Sequence, residues 1–337
     1  MRRYVLILLS VLAWSGASAD SIPVRVPDWL PRIGGAVRAR WEMETEDGYN
    51  RFQLRNARVN LAGDIGRYVE YYLQVDLCNQ GKMQFLDGWA RVALFEGFKA
   101  QAGQFRIPFG IDTFRGPGNY VFANRSFLGR DFLNRRAVGF QMAYTIPQTT
   151  VTVSAGAFNP GTITDHTPWT RQKTYAAKAA AVAGDFSLSA SYASDLTDSV
   201  RINMADAAVV YHSGRWHAEA EYAYKHYTHH AHRATHAVVV WGDYAMPVRA
   251  GVFNQASFQG RFDMMTAGSN STRDALGQLT TNQPARRRIT LGATLSRVMG
   301  SRHADFRVNY EKYFYNHDVE APEGRGDKIV AEIVVKF

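Results

Sequence analysis

The chain has almost nothing with which to staple itself. Cys78 is its single cysteine, so no intramolecular disulfide can form. Long apolar runs are missing too. Past the N-terminal segment the longest is Ala237 to Trp241, far below the roughly 20 residues a helix needs to cross a bilayer. Crossing as helices is therefore excluded for this part of the chain. No helical stripe of apolar residues stands out either. What survives is a soluble fold or a closed barrel, because lipid cannot satisfy the open edge of a sheet. The G-x-S-x-G elbow of serine hydrolases is absent. Only Asp20 to Pro31 are available ahead of the first strand pattern, so a receptor with a folded plug domain is not expected.

The N-terminus reads differently from the rest. Arg2 and Arg3 form a positive start, Tyr4 to Ala13 is almost wholly apolar, and Ala17-Ser18-Ala19 is a small-residue cleavage site. Residues 1–19 are thus expected to be a secretory signal peptide, with residues 20–337 forming one mature domain. Removing Arg2 and Arg3 leaves 39 − 2 = 37 basic against 30 acidic residues, a net +7. That balance suggests an anionic partner. Export argues against nucleic acid.

Polar and apolar residues then alternate with period two, the sign of strands with two different faces. Tyr68, Glu70, Tyr72, Gln74 and Asp76 share one parity, and Val69, Tyr71, Leu73 and Val75 the other. Lys328, Glu332 and Lys336 likewise oppose Ile329, Ile333, Val335 and Phe337. About sixteen such segments are expected, most reaching the 9–11 residues of a tilted transmembrane strand. They lie near 32–44, 51–64, 67–78, 83–95, 98–107, 136–146, 149–158, 172–183, 185–195, 201–212, 215–228, 233–246, 248–265, 286–298, 303–315 and 327–337.

The even-numbered connections are tight: Asp64-Ile65-Gly66, Glu96-Gly97, Pro147-Gln148, Gly184, Ser213-Gly214, Pro247 and Met299-Gly300-Ser301-Arg302. The odd-numbered ones are generally longer, the largest at 108–135, 159–171, 266–285 and 316–326. Alternating short and long connections predict an all-β, antiparallel up-and-down barrel spanning the outer membrane of a Gram-negative bacterium, short turns on the periplasmic side. Aromatic clusters at segment ends, such as Tyr222-Ala223-Tyr224 and Tyr313-Phe314-Tyr315, fit interfacial girdles. Phe337, a terminal aromatic on an alternating strand, resembles the signal read by the outer-membrane assembly machinery. Outer-membrane lipid and lipopolysaccharide are the expected surroundings.

Gly103-Gln104-Phe105-Arg106-Ile107-Pro108-Phe109-Gly110 resembles the G-Q-F-K-x-P-F-G motif of the phosphate-selective porin O and P family. Arg55-Asn56-Ala57-Arg58 is similar to that family's R-x-A-R strand, and Leu86-Asp87-Gly88-Trp89-Ala90 to its acidic-aromatic strand motif. Asn309 to Tyr315 and Asp327 to Val330 resemble a branch found in Bacteroides-like bacteria. The resemblance implies a sixteen-stranded homotrimeric barrel that passes phosphate or polyphosphate. By analogy with general porins, connection 108–135, the third long loop, folds into the barrel and narrows it.

That connection is chemically one-sided. From Arg106 to Arg136 there are six arginines, two acids (Asp112 and Asp131) and no lysine. Arginine is planar, permanently charged and weakly hydrated, which suits oxyanions. Arg106, Arg115, Arg125, Arg130 and Arg136 are therefore candidate anion contacts, joined from the inward parity of the walls by Arg38, Arg40, Arg58 and Lys99. Glu70, Asp76, Glu311 and Glu332 share that parity, so the lumen is mixed in charge. The expected function is passive diffusion of small hydrophilic solutes with a preference for anions. The alternatives are a non-selective general porin and, in another class, a lipolytic or a structural, adhesive barrel. No catalytic residue, cofactor or metal is expected. His226, His229, His230, His232 and His236 crowd one region but lack a carboxylate or thiolate partner, and read as a solvated loop.

Overall fold

In the computed structural model, residues 30–337 are described, apart from residue 80 and residues 161–168, 198–199, 270–271 and 317–324. The expected signal peptide lies outside the described residues. The strands are β1 (Arg32–Glu44), β2 (Asn50–Ile65), β3 (Val69–Asn79), β4 (Lys82–Phe95) and β5 (Phe98–Arg106). Next come β6 (Arg136–Thr145), β7 (Thr152–Phe158), β8 (Thr174–Ala183), β9 (Phe186–Thr197), β10 (Val200–Ser213) and β11 (Trp216–Tyr227). The last are β12 (Thr235–Ala250), β13 (Phe253–Met265), β14 (Arg286–Met299), β15 (Arg302–Tyr315) and β16 (Lys328–Lys336). Each pairs antiparallel with its sequence neighbours, and β1 pairs with β16, so sixteen strands close a barrel with no free edge. Closure gives every strand a partner on both sides, which hydrocarbon demands. At the seam Gly35 and Phe337 exchange both backbone hydrogen bonds, at 2.9 and 3.1 Å. A Cβ on residue 35 would come within 2.6 Å of the Phe337 ring, so glycine makes room for it.

The faces are inverted relative to a soluble protein. On β14, Arg286, Arg288, Thr290, Thr294 and Ser296 are buried, while Ile289 and Leu291 are exposed. On β16, Lys328 and Glu332 are buried and Ile333 is exposed. Period two sends the polar set inward and the apolar set outward, where lipid covers it.

Connections sort by end. At one end they span 66–68, 96–97, 146–151, 184–185, 214–215, 251–252 and 300–301. At the other they include 107–135, 159–173, 266–285 and 316–327. Connections 80–81 and 198–199 at this second end are as short as any turn. One expected turn is misplaced. Pro247 lies inside β12, paired with Gln255, and the chain reverses at 251–252, where Gly251 has φ +59°. A register shift follows Pro247, and beside such a bulge the ladder can spare the N–H that proline lacks.

The apolar core joins the segment between β5 and β6 to residues of the wall. Ile107, Phe109, Phe122, Phe127, Leu128 and Phe132, all between β5 and β6, cluster with Ile202, Met204, Val239, Trp241 and Met265.

Candidate functional site, an arginine-lined cavity

A cavity of about 1050 Å³ opens among β1 to β6, β9, β14 to β16, the segment 107–135 and the connection after β7. Eleven arginines line it, namely Arg38, Arg40, Arg51, Arg55, Arg58, Arg106, Arg125, Arg130, Arg135, Arg136 and Arg288, together with Lys328. Only two carboxylates, Glu42 and Asp195, stand against these twelve cations. The sign of the cavity surface is therefore positive.

Its strand arginines are placed by period two and by one irregularity. Arg38 and Arg40 alternate with the outward Val37, Ala39 and Trp41 on β1. On β2 the register slips: Arg38 pairs with Asn56 but Ala39 pairs with Leu54, leaving Arg55 as the extra residue of a β-bulge. In an unbroken strand residues 55 and 58 would face opposite sides. The bulge turns Arg55, Asn56 and Arg58 all toward the cavity.

Most of these cations are neutralised from behind. Arg38 pairs with Glu332 at 2.6 Å, Arg58 with Asp76 at 2.9 Å, and Arg136 with Asp87 at 2.9 Å. Arg288 bridges Asp263 and Glu311 at 2.9 and 3.1 Å. Arg40 lies 3.3 Å from Glu42, Arg130 lies 3.1 Å from Asp131, and Arg135 pairs with Asp195. Arg51 also pairs with Glu42, so of the eleven arginines three are left over. Among the described residues, no carboxylate lies within 4.0 Å of Arg55, Arg106 or Arg125. Arg106 donates to the Thr113 carbonyl and to Asn134 Oδ1, both at 2.5 Å. Arg125 donates to the carbonyls of Asp112, Thr113, Arg115 and Gly129. Its guanidinium and that of Arg38 both lie over the Tyr120 ring, at 4.8 and 4.7 Å.

The segment 107–135 is tied to inward-facing side chains of many strands. Arg38 donates to the Ala123 carbonyl at 2.6 Å, Arg261 to that of Asn124 at 2.8 Å, and Arg288 to that of Arg125 at 2.6 Å. The Ala123 and Phe127 amides donate to Asn309 and Asp263 at 2.7 and 2.8 Å. Glu221 accepts from the Ile111 and Asp112 amides at 2.7 and 3.1 Å. Within the segment a short helix, α1 (Phe127–Asp131), is capped by Ser126, whose Oγ accepts from the Gly129 amide at 2.8 Å.

Asp112 holds this knot. Its carboxylate accepts from the Ser126 hydroxyl at 2.5 Å and pairs with Arg115 at 3.2 Å. Burial by itself would raise its pKa. The charges of Arg115 and Arg125 and the Ser126 hydrogen bond outweigh that and hold the carboxyl below the ordinary aspartate range. Arg115 is also desolvated, which would lower it, but Glu219 at 2.6 Å and Asp112 push it above the ordinary value.

Residues 36–187 match the model of the family described as phosphate-selective porin O and P. Over that stretch the chain is similar to this family, and its closed barrel is that of an outer-membrane porin. Solved structures similar to the porin include the in-vitro folded OmpT of Vibrio cholerae in its trimer form, at 13% identity and a TM-score of 0.60, covering 91% of this chain and 99% of that one. The outer-membrane channel DcaP of Acinetobacter baumannii is also 13% identical, with a TM-score of 0.60 and coverage of 91% and 97%. Salmonella typhi OmpF, in complex with daunomycin, is 14% identical with a TM-score of 0.62 and the same coverage. At such identities the likeness is one of fold. A comparison with curated protein sequences returns no match.

The porin brings most of the sequence-derived residues together: Arg38, Arg40, Arg58, Arg106, Arg125, Arg130 and Arg136 all line the cavity. Two stand apart. Lys99 pairs with Glu70 at 2.7 Å and does not reach the cavity. Arg115 points to Glu219 and lies 5.4 Å from the Trp241 ring. Arg51, Arg55, Arg135, Arg288 and Lys328 are additions. Arg55 left no signal in the alternation, which places residues 55 and 58 on opposite faces unless a bulge intervenes. In the histidine-rich stretch, His236 Nδ1 meets the Tyr222 hydroxyl at 2.8 Å and His232 Nε2 meets Thr281 Oγ1 at 2.9 Å. Among the described residues no group of three or more His, Cys, Asp or Glu is arranged to hold a metal ion.

Proposed function

We propose that this porin is a passive, non-enzymatic channel that favours anions, with phosphate-type oxyanions among its solutes. In this reading residues 20–337 form one barrel domain, released by cleavage after Ala19, and three copies assemble. The solved relative described as a trimer form supports that assembly. The segment 108–135 crosses the lumen and sets its narrowest section, supported by its hydrogen bonds to inward-facing side chains of β1, β11, β13, β14 and β15. The observation that carries the reading is the cavity's twelve cations against two carboxylates, with Arg55, Arg106 and Arg125 uncompensated. An anion entering there exchanges part of its hydration for arginine N–H donors, while a cation meets a barrier.

The test is the reversal potential in planar bilayers across a KCl gradient, followed by phosphate titration of the same channel. Chloride selectivity with block by low phosphate supports the reading. A large conductance with little selectivity reduces the protein to a general porin, a second reading favoured by the many arginines already paired with carboxylates.

A further inference from the structure

The arginines are only part of the cavity. Its wall also holds the side-chain amides of Asn79, Gln84, Asn134 and Asn159, and the apolar Leu86 and Leu196. A pore selecting bare inorganic anions by charge has no use for these groups, and their hydrogen-bonding edges are specific. Asn79 Nδ2 donates to Gln84 Oε1 at 2.5 Å. That leaves one carbonyl edge, Asn79 Oδ1, and one N–H edge, Gln84 Nε2, with no partner among the described residues. Asn134 Oδ1 accepts from Arg106 at 2.5 Å and Asn159 Oδ1 from Lys173 at 3.0 Å. The cations fix those amides so that their N–H₂ ends stay available.

An unpaired carbonyl in a cation-rich cavity accepts a hydrogen bond. Chloride cannot donate one, and the P–OH of hydrogen phosphate sits on the charged centre itself, too close to the arginines to reach that carbonyl, whereas a hydroxyl several bonds away can. The apolar groups suit the C–H faces of a sugar ring. Register supplies the spacing. Arg58 pairs across β2 and β3 with Asp76, and Asp76 across β3 and β4 with Gln84. Gln84 therefore sits two strands, about 10 Å, from Arg58 in the hydrogen-bonding direction. One end of a solute can rest on Arg55 and Arg58 while hydroxyls several bonds away reach the Asn79–Gln84 pair. The cavity, at about 1050 Å³, is large enough for an organic ligand, whose sites run to roughly 300–1,000 Å³.

We infer that the preferred cargo is a hydroxyl-bearing organic anion of the sugar-phosphate or sugar-acid class, with the arginines taking the charge and the Asn79–Gln84 pair taking hydroxyls. This rests on the anion-channel reading above.

The experiment measures block of the single-channel chloride current of the full-length porin by glucose 6-phosphate, inorganic phosphate and glucose. Glucose 6-phosphate should block at about fivefold lower concentration than inorganic phosphate, the effect of one net hydrogen bond, and glucose should block least. Replacing Gln84→Leu and, separately, Asn79→Ala should narrow the gap between the two anions within each variant. Migration as a heat-modifiable folded barrel on a gel checks that each variant is intact. A chloride-selective pore blocked equally or better by inorganic phosphate overturns this inference alone, as does an unchanged gap in both variants. A pore without chloride preference overturns the reading beneath it as well.

Discussion

Arg38 on the first strand and Glu332 on the last meet at 2.6 Å with both side chains almost fully buried, so the barrel seam carries an enclosed ion pair with a second cation attached, Arg307, 3.1 Å from the other oxygen of Glu332. One carboxylate thus serves two guanidiniums. Replacing Glu332→Gln leaves the buried Arg38 without a carboxylate and Arg307 with only Asp305, at 3.5 Å. The folded barrel should lose about 3–5 kcal/mol, the usual result of removing one partner of a buried pair. Urea titration of refolding into lipid vesicles measures this, and an unchanged midpoint contradicts it.

Arg55 gives the cleanest test of selectivity, because nothing neutralises it among the described residues. A unit charge at ~4 Å in water-like surroundings is worth about 1 kcal/mol, or about a fivefold change in local anion occupancy. Arg55→Ala should lower chloride-over-potassium permeability, and Arg55→Glu should lower it further. Lys99→Ala, outside the cavity and already paired, should leave the reversal potential near its starting value. The paired change Arg106→Ala with Arg125→Ala should act in the same direction as Arg55→Ala, and an unmoved reversal potential there would sink the anion assignment.

Phe127 anchors the segment between β5 and β6. It is nearly fully buried, with the guanidiniums of Arg286 and Arg288 at 4.6 and 4.7 Å from its ring. Phe127→Ala should cost about 3–5 kcal/mol of local anchoring. The expected sign is greater current noise and larger, less uniform conductance steps in bilayer recordings, since the wall itself is untouched.

Acid should act through Asp112. Its carboxyl lies below the ordinary value, about 3.9, which a released segment would show. The stabilisation is therefore complete above that ordinary value and is lost as pH falls through the lower, folded one. Channel noise should be flat from neutral pH down to about 4 and rise only below it. Asp112→Asn should show the noisy behaviour at neutral pH. Recordings across a pH series in symmetric salt decide this.

The barrel was legible because its two signals are repetitive. Alternation marked all sixteen strands, and connection length marked the two ends. Where the chain departs from strict period two, the reading failed. Pro247 looked like a turn because proline usually breaks a ladder, yet a bulge absorbs it within β12. Arg55 was missed for the same reason, since a bulge moves one residue to the wrong face. Arg115 was included on charge alone, although Glu219, distant in sequence, draws it away. The apolar core around Phe109, Phe127 and Phe132 left no periodic trace, because an irregular segment has no repeating face.

The seam carries a consequence for how the molecule is made. Ala36 pairs with Lys336, three hundred residues away, whereas every other strand pairs with its immediate neighbour. Local hairpins form fast, and contacts of such sequence separation are reached last. Until then the growing sheet has two bare edges, each a row of backbone groups that hydrocarbon cannot satisfy. Joining β1 to β16 and entering the bilayer must therefore be a single event, carried out where something else covers those edges in the meantime.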